Sequence, residues 1–256
     1  MFWEGKVVLI TGASSGIGAE FARQISKKKA IVGLIARRAE ELEKIKKQLE
    51  SDGATVRIFP VDVTDFAKVN SAAESLRSEF GKIDILVANA GIAGKITSAW
   101  KIDPADVEKV IKINLIGAVN AVAAVLPDMY VKRNGHLVAI SSLAGFRGLP
   151  KSAAYCSSKS AMTTFFESLR IDLLQSGIDV TIVQPGFIKT PLTAGRKGKM
   201  PFLMDLEPAT AKIIKAIEKK KKFYAFPWQL ATLVRLGKIM PAWLYDKIVA
   251  GKNYRE

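Results

Sequence analysis

The chain has 256 residues, 49% of them hydrophobic and 25% charged. That length and apolar content suit one large α/β domain or two small ones with a substantial core, and exclude global disorder, a collagen repeat and a pure coiled coil. Thirty-nine Lys/Arg against 24 Asp/Glu give a net charge of +15, and 14 Lys/Arg against 5 Asp/Glu fall between Arg196 and Glu256; such a surface attracts phosphates, nucleic acid or anionic lipid, or simply keeps the chain solvated.

In chain order, Lys6–Thr11 is a short apolar run that reads as a buried strand. Gly16–Lys28 reads as a helix, with Ile17, Phe21 and Ile25 on one face. Ala30–Ala36 is a second strand, Glu40–Leu49 a charge-rich helix, Thr55–Pro60 a third strand and Phe66–Phe80 a third helix. Ile83–Ala88 is a strand entering Asn89-Ala90-Gly91, and Asp103–Tyr130 holds a helix start and then a long helix. His136–Ser141 and Asp179–Val183 are strands on either side of a long helix, Ser152–Gln175, and Pro185-Gly186 stops the second of them. The strands are apolar throughout, and the alternation implies βαβ units with a parallel sheet and right-handed crossovers. Phe187–Leu206, with two glycines and two prolines, is loop-like and suits a lid. Glu207–Lys221 is a helix and Phe223–Phe226 a last strand. Pro227–Ala250 forms two short apolar helices with Pro227 and Pro241 at N1.

Lys6–Ile10 is too short for a secretory signal, and the longest weakly polar run, Ile113–Pro127, falls short of the roughly 20 residues a membrane span needs. The chain therefore reads as soluble and cytoplasmic. The single cysteine, Cys156, excludes an internal disulfide framework, and the single histidine, His136, a multi-histidine metal site, so no metal is expected.

The first strand feeds Thr11-Gly12-Ala13-Ser14-Ser15-Gly16-Ile17-Gly18, a G-x-x-x-G-x-G loop opening a helix. Glycines there permit the turn and let the backbone approach a pyrophosphate, whose charge the free N–H groups and the positive helix end meet. After the second strand an NAD site places Asp or Glu against the ribose hydroxyls. This sequence has Arg37 and Arg38 instead, two guanidinium groups suited to a 2′-phosphate, so NADP(H) is favoured over NAD(H). Asp62 and Val63 after the third strand suit the adenine, and Asn89-Ala90-Gly91 after the fourth suits the adenosine side. Strand five ends in Ser141-Ser142, and Tyr155 and Lys159 follow at i and i+4 on one helix face.

Together these motifs resemble the short-chain dehydrogenase/reductase family. The likeness covers Thr11-Gly12-Ala13-Ser14-Ser15-Gly16-Ile17-Gly18, Asp62-Val63, Asn89-Ala90-Gly91, Asn114, Ser142, Tyr155-x-x-x-Lys159 and Pro185-Gly186 with Thr190. It implies a single doubly wound Rossmann-type α/β domain with about seven parallel strands. It also implies reversible hydride transfer between NADP(H) and a carbonyl or secondary alcohol. Tyr155 is then the general acid or base; an ordinary tyrosine has a pKa of about 10, and a nearby Lys159 ammonium favours the phenolate. Lys159 also holds the nicotinamide ribose, Ser142 the substrate oxygen, and Asn114 a water joining Lys159 to solvent. Pro185, Gly186, Ile188 and Thr190 position the nicotinamide end. Gln184 stands where asparagine is common in the family, and Ser15 is not the Lys or Arg that some NADP-using members carry, so the NADP(H) expectation rests on Arg37 and Arg38.

Cys156 and His136 are given no chemistry, and the lysines 219–222 read as a solvated helix end, so no nucleic acid is expected. The tail carries Trp228, Leu233, Leu236, Ile239, Trp243 and Ile248 with Arg235, Lys238 and Lys247 among them. Packing over the substrate cleft or subunit association is preferred for it; peripheral membrane contact through 227–256 is the competing reading, to which the resemblance adds weight through membrane-associated relatives. The substrate is expected to be a small hydrophobic ketone, aldehyde, steroid or acyl chain, and the resemblance implies a homodimer or homotetramer. The alternative function is a nucleotide-binding, redox-sensing or membrane-surface partner that keeps the fold.

Overall fold

The computed structural model describes residues 2–195 and 198–250. Its strands are β1 (Val7–Thr11), β2 (Ile31–Ala36), β3 (Val56–Pro60), β4 (Ile85–Ala88), β5 (Gly135–Ile140), β6 (Ile178–Pro185) and β7 (Phe223–Phe226). They form one seven-stranded sheet in the order β3-β2-β1-β4-β5-β6-β7, and every pairing is parallel. The helices are α1 (Gly16–Ser26), α2 (Ala39–Ser51), α3 (Phe66–Phe80), α4 (Pro104–Ile111), α5 (Gly117–Val131), α6 (Ala153–Asp172), α7 (Leu206–Glu218), α8 (Trp228–Ile239) and α9 (Ala242–Ala250).

Alternating strand side chains feed two cores. Val8, Ile10, Val32 and Leu34 pack with α1, α2 and α7 on one face; Val7, Leu9, Leu86 and Leu137 pack with α3, α5 and α6 on the other. The sheet is thus doubly wound. It is covered on both faces, which is why β1, β4 and β5 are buried at every position. The outer strands depart from the expectation of apolar strands throughout. β3 is half-buried and carries Arg57, paired with Glu79, and β7 begins exposed. An edge strand has one neighbour, so less of it is covered.

Most element ends differ from the sequence reading by one to three residues. β6 runs through Gln184 and Pro185 and stops at Gly186, because Pro185 needs no ladder N–H where it faces Phe226. α6 ends at Asp172, before the turn that Gly177 makes against Arg133 at φ +79°. Pro227 is the N-cap of α8, with an extended ψ of 152°, and Pro241 precedes α9, so neither sits at N1.

The long helix extends well beyond the apolar run Ile113–Pro127. Pro104–Val131 is continuous over 28 residues, and its most apolar 18-residue window has a mean hydropathy of 1.8, enough by length and composition alone to cross a membrane. Half of its apolar window is buried within the fold, and Val110, Ala121, Val122 and Val125 are core side chains. Its middle turn, Lys112–Ile116, is π-helical. The segment 187–206 is indeed loop-like, pinned by a parallel bridge between Ile188 and Met204 and by a Lys189–Asp205 ion pair of 2.7 Å. Arg196 and Lys197 of that segment, and the last six residues of the tail, lie outside the described residues.

His136 is buried in β5 with Nε2 2.8 Å from Thr181 Oγ1. Burial pulls its pKa from 6.5 down to about 4, with Asp179 opposing and Lys220 reinforcing the shift. An unfolded chain takes up this proton first as pH falls, so the stability is complete above pH 6.5 and is lost between about 6.5 and 4. Urea unfolding from pH 7 to 4.5 is expected to show this loss, up to about 3 kcal/mol, and His136→Gln to flatten it. An unchanged pH slope in the variant removes His136 as the cause.

Candidate active site

The C-terminal ends of β1 to β6 open on one cleft of about 1010 Å³, where ligands bind in open α/β sheets. Every residue given a cofactor-binding or catalytic role from the sequence lines it except Gly18 and Asn114.

The loop after β1 forms one wall. Gly12 has φ +67°, and a Cβ there would sit 2.7 Å from the Ala90 Cα. Only glycine lets the loops after β1 and β4 meet this closely. Gly18 serves the same packing from below: a Cβ would lie 2.6 Å from both Asn89 Nδ2 and the Gly12 carbonyl. Asn89 Nδ2 donates to the Thr11 carbonyl at 2.9 Å, while Thr11 Oγ1 accepts from the Asn89 and Ala90 N–H groups at 3.0 and 3.1 Å. The side chain of Asn89 thus holds the glycine loop. Thr11 does the reciprocal work, which its place at a strand end did not reveal.

Ser15 is the N-cap of α1 with extended backbone, and its hydroxyl caps none of the first N–H groups. Those donors and the positive end of the helix border the cleft at Ser15, Gly16 and Ile17. Arg38 donates to Ser14 Oγ from Nε and Nη2 at 3.2 and 2.9 Å, and to Ser15 Oγ at 2.7 Å. Arg37 Nη1 lies 3.7 Å from Asp62 Oδ2, and Asp62 Oδ1 accepts from the Thr64 N–H and hydroxyl. Asp62 is the sole carboxylate among the described residues lining the cleft. Uncapped N–H groups, a glycine wall and two guanidinium groups fit a dinucleotide with its pyrophosphate on α1.

The other end carries Ser142, Tyr155 and Lys159. Ser142 follows β5, and its Oγ accepts from the Ala144 N–H at 3.1 Å. Gly145, three residues on, lies flat against α6: a Cβ there would be 2.9 Å from the Lys159 carbonyl carbon. That contact brings the Ser142 turn onto the helix that bears Tyr155 and Lys159. Both side chains are buried yet line the cleft. Lys159 Nζ donates to the Ile140 carbonyl at 2.8 Å and lies 3.8 Å from Met162 Sδ. Desolvation pulls its pKa from 10.5 down to about 8.

Asn114 sits behind the wall, fully buried in the π-helical turn. Its Nδ2 donates to the Ile92 carbonyl and to Ser158 Oγ, and its Oδ1 accepts from the Ile92 N–H. Ser158 in turn donates to the Tyr155 carbonyl at 2.8 Å. A Cβ on Gly91 would lie 3.3 Å from Asn114 Oδ1 and 3.5 Å from Lys159 Nζ, so the three residues converge. Ser158 was missed in the sequence, although it lies inside the Tyr155–Lys159 spacing. Pro185, Gly186, Ile188 and Thr190 close the cleft opposite, with Thr190 Cβ 3.5 Å from the position a Gly16 Cβ would take. The tail completes the apolar end through Leu230, Leu233, Val234, Leu236 and Ile248.

The profile of the short chain dehydrogenase family matches residues 6–200. An uncharacterized oxidoreductase of Myxococcus xanthus is 40% identical over 241 residues, 94% of this chain and 95% of the relative. A fatty acyl-CoA reductase of Acinetobacter baylyi is 34% identical over 221 residues, 86% of this chain and 75% of that protein. The crystal structure of a short chain dehydrogenase from Mycobacterium paratuberculosis bound to NAD matches with a TM-score of 0.82 at 22% identity, over 91% of this chain and 100% of that one, a likeness of fold. The family profile covers the glycine loop, Ser142, Tyr155 and Lys159 alike: this chain belongs to the short-chain dehydrogenase/reductase family and is an oxidoreductase that binds a nicotinamide cofactor.

Proposed function

We propose that the enzyme prefers NADP(H) to NAD(H) and interconverts an apolar carbonyl compound and its alcohol. The observation that carries the reading is the buried Tyr155–Lys159 pair on one helix face, opening on the same cleft as the glycine loop and Arg38. The dinucleotide, when bound, supplies or accepts the hydride.

Gly12, Ser14, Ser15, Gly16, Ile17 and Gly18 build the pyrophosphate end, and Arg37 and Arg38 pair with a 2′-phosphate. Asp62 and Val63 meet the adenine, and Asn89, Ala90 and Gly91 the adenosine side. Pro185, Gly186, Ile188 and Thr190 hold the nicotinamide end. Tyr155 gives its phenolic proton to the carbonyl oxygen in reduction and takes it back in oxidation. Ser142 donates to the same oxygen and holds it for transfer. Lys159 holds the ribose hydroxyls and supports negative charge on Tyr155. Both donors of the Asn114 amide are used, which leaves a lone pair on Oδ1 to anchor a water beside Lys159.

Reduction is the proposed direction. The apolar end of the cleft favours a ketone, steroid or acyl chain as substrate, and the name of the Acinetobacter relative points to an acyl chain. The chain acts as one soluble cytoplasmic domain, with the described parts of 187–206 as its lid and 227–250 as an extension over the cleft. Exposed Tyr130 and Val131 at the end of α5, Ile171 on α6 and Leu174 in the turn after it favour a homodimer or homotetramer.

Nicotinamide fluorescence titration tests the cofactor preference. Arg37→Ala/Arg38→Ala is expected to weaken NADPH at least about tenfold, since a charge-assisted hydrogen bond contributes about 1.5–3 kcal/mol, and to leave NADH nearly unchanged. Equal affinity of the wild type for both cofactors rejects the preference. Tyr155→Phe is expected to cut carbonyl reduction by about 10² to 10⁴ while NADPH still binds.

Lys159 also makes a stability prediction. Because its folded pKa is depressed, the ligand-free protein carries a penalty below pH 8 that fades as pH rises from about 8 to 10.5. Lys159→Met is therefore expected to stabilise the cofactor-free protein at pH 7, by up to about 3 kcal/mol, with the gain vanishing near pH 10.5 and turnover lost. A variant less stable than wild type at pH 7 rejects this account of Lys159.

A further inference from the structure

α8 and α9 are weakly anchored by burial. Ala231 and Val249 are their only buried side chains among those described, and Trp228, Ile239 and Trp243 are 72%, 80% and 70% exposed. Yet these helices form the apolar end of the cleft. Polar ties at the corner between them supply what burial does not.

Those ties converge on Arg147, in the loop that joins Ser142 to Tyr155. α8 ends at Ile239, where the only backbone donor recorded at its last turn is the Met240 N–H, 3.4 Å from the Gly237 carbonyl. Arg147 Nη1 donates to the Gly237 carbonyl and, at 2.7 Å, to the Met240 carbonyl. The guanidinium therefore caps the negative end of α8. It also stacks on α9, 3.9 Å from the centre of the Tyr245 ring. Tyr245 then returns the tie: its hydroxyl donates to the Gly148 carbonyl at 2.8 Å. The other end of α8 is fixed at the opposite side of the site, where Leu230 Cδ2 lies 2.9 Å from the position a Gly186 Cβ would take. α8 thus spans from the Pro185-Gly186 turn to the loop between Ser142 and Tyr155.

We infer that Arg147 is a positioning residue: it latches the α8–α9 corner to the Ser142–Tyr155 loop, and so sets the apolar wall that selects long-chain over short-chain carbonyl substrates. The latch is a property of the fold. The selection rests on the carbonyl-reduction reading of the same cleft.

The two parts are tested separately on the full chain. Hydrogen–deuterium exchange of Arg147→Met is expected to be at least about tenfold faster in 228–249 and in 146–152, and unchanged in Val7–Ser26 of β1 and α1. Arg147→Lys, which keeps the charge but loses the planar stack, is expected to fall between the variant and wild type. An exchange profile equal to wild type overturns the latch, and so does uniform loosening that includes Val7–Ser26. With NADPH, decanal and propanal as probes, Arg147→Met is expected to raise the KM for decanal about tenfold more than that for propanal, with kcat moving less than KM. Equal changes for the two aldehydes overturn the selection. A wild-type chain that reduces neither aldehyde counts against the carbonyl reading, and the exchange comparison still decides the latch.

Discussion

The site depends on how closely the loop after β1 approaches the loop after β4. β1 lies in the middle of the sheet, with β2 on one side and β4 on the other, so the chain leaves it in opposite directions. A crevice opens wherever strand order reverses in this way. Gly12 seats directly on Ala90, Gly18 lets α1 close over the Asn89 amide, and Thr11 and Asn89 exchange hydrogen bonds across the seam. Add a methyl group at either glycine and the two halves of the sheet cannot keep this register while their loops touch. The loop proposed to hold the dinucleotide is therefore also the one that joins the two halves.

The chemical end is built at a cost in stability. Lys159 is almost entirely withdrawn from water, and among protein atoms its ammonium meets a carbonyl and a thioether rather than a carboxylate. Uncompensated burial of a charge is unfavourable, and a depressed pKa is its signature. Ribose hydroxyls and a phenolate would supply the missing partners, so the residue suits the loaded enzyme better than the empty one. His136 has the same depressed pKa with a satisfied neutral partner in Thr181, and it lies away from the cleft. A shifted pKa alone would not have separated the two; the cleft does.

Much of this was legible in the sequence, for reasons that differ by residue. The strands of the sheet centre are apolar runs closed by glycine or polar turns, so β1, β2, β4 and β5 were found close to their true limits. The glycine loop and the Tyr155–Lys159 spacing are local patterns, and local patterns survive in one dimension. The relations that organise the site are not local. Asn114 reaches Ser158 across 44 positions, and Arg147 reaches Met240 across 93. The π-helical turn that presents Asn114 leaves no compositional mark in Lys112–Ile116. Arg147 lies in an unremarkable loop, and its role is set by the carbonyls of a helix almost a hundred residues away. The edge strands misled for another reason: apolar spacing reports what a segment tolerates, not how many neighbours it acquires.

The strand order also bears on how the chain is made. β1, β2 and β3 follow one another in the chain and can pair as soon as they leave the ribosome. The other edge of β1 must wait for Ile85–Ala88, and until then a fully apolar strand carries unpaired backbone groups. An open edge of this kind is a template for pairing with another chain. From β4 onward each new strand adds to the outside of the last, so β1 is the one strand whose second partner is not the next to be made. The glycine loop therefore exists before the wall it packs against, and a nascent chain holding only the first three strands presents that loop to open solvent.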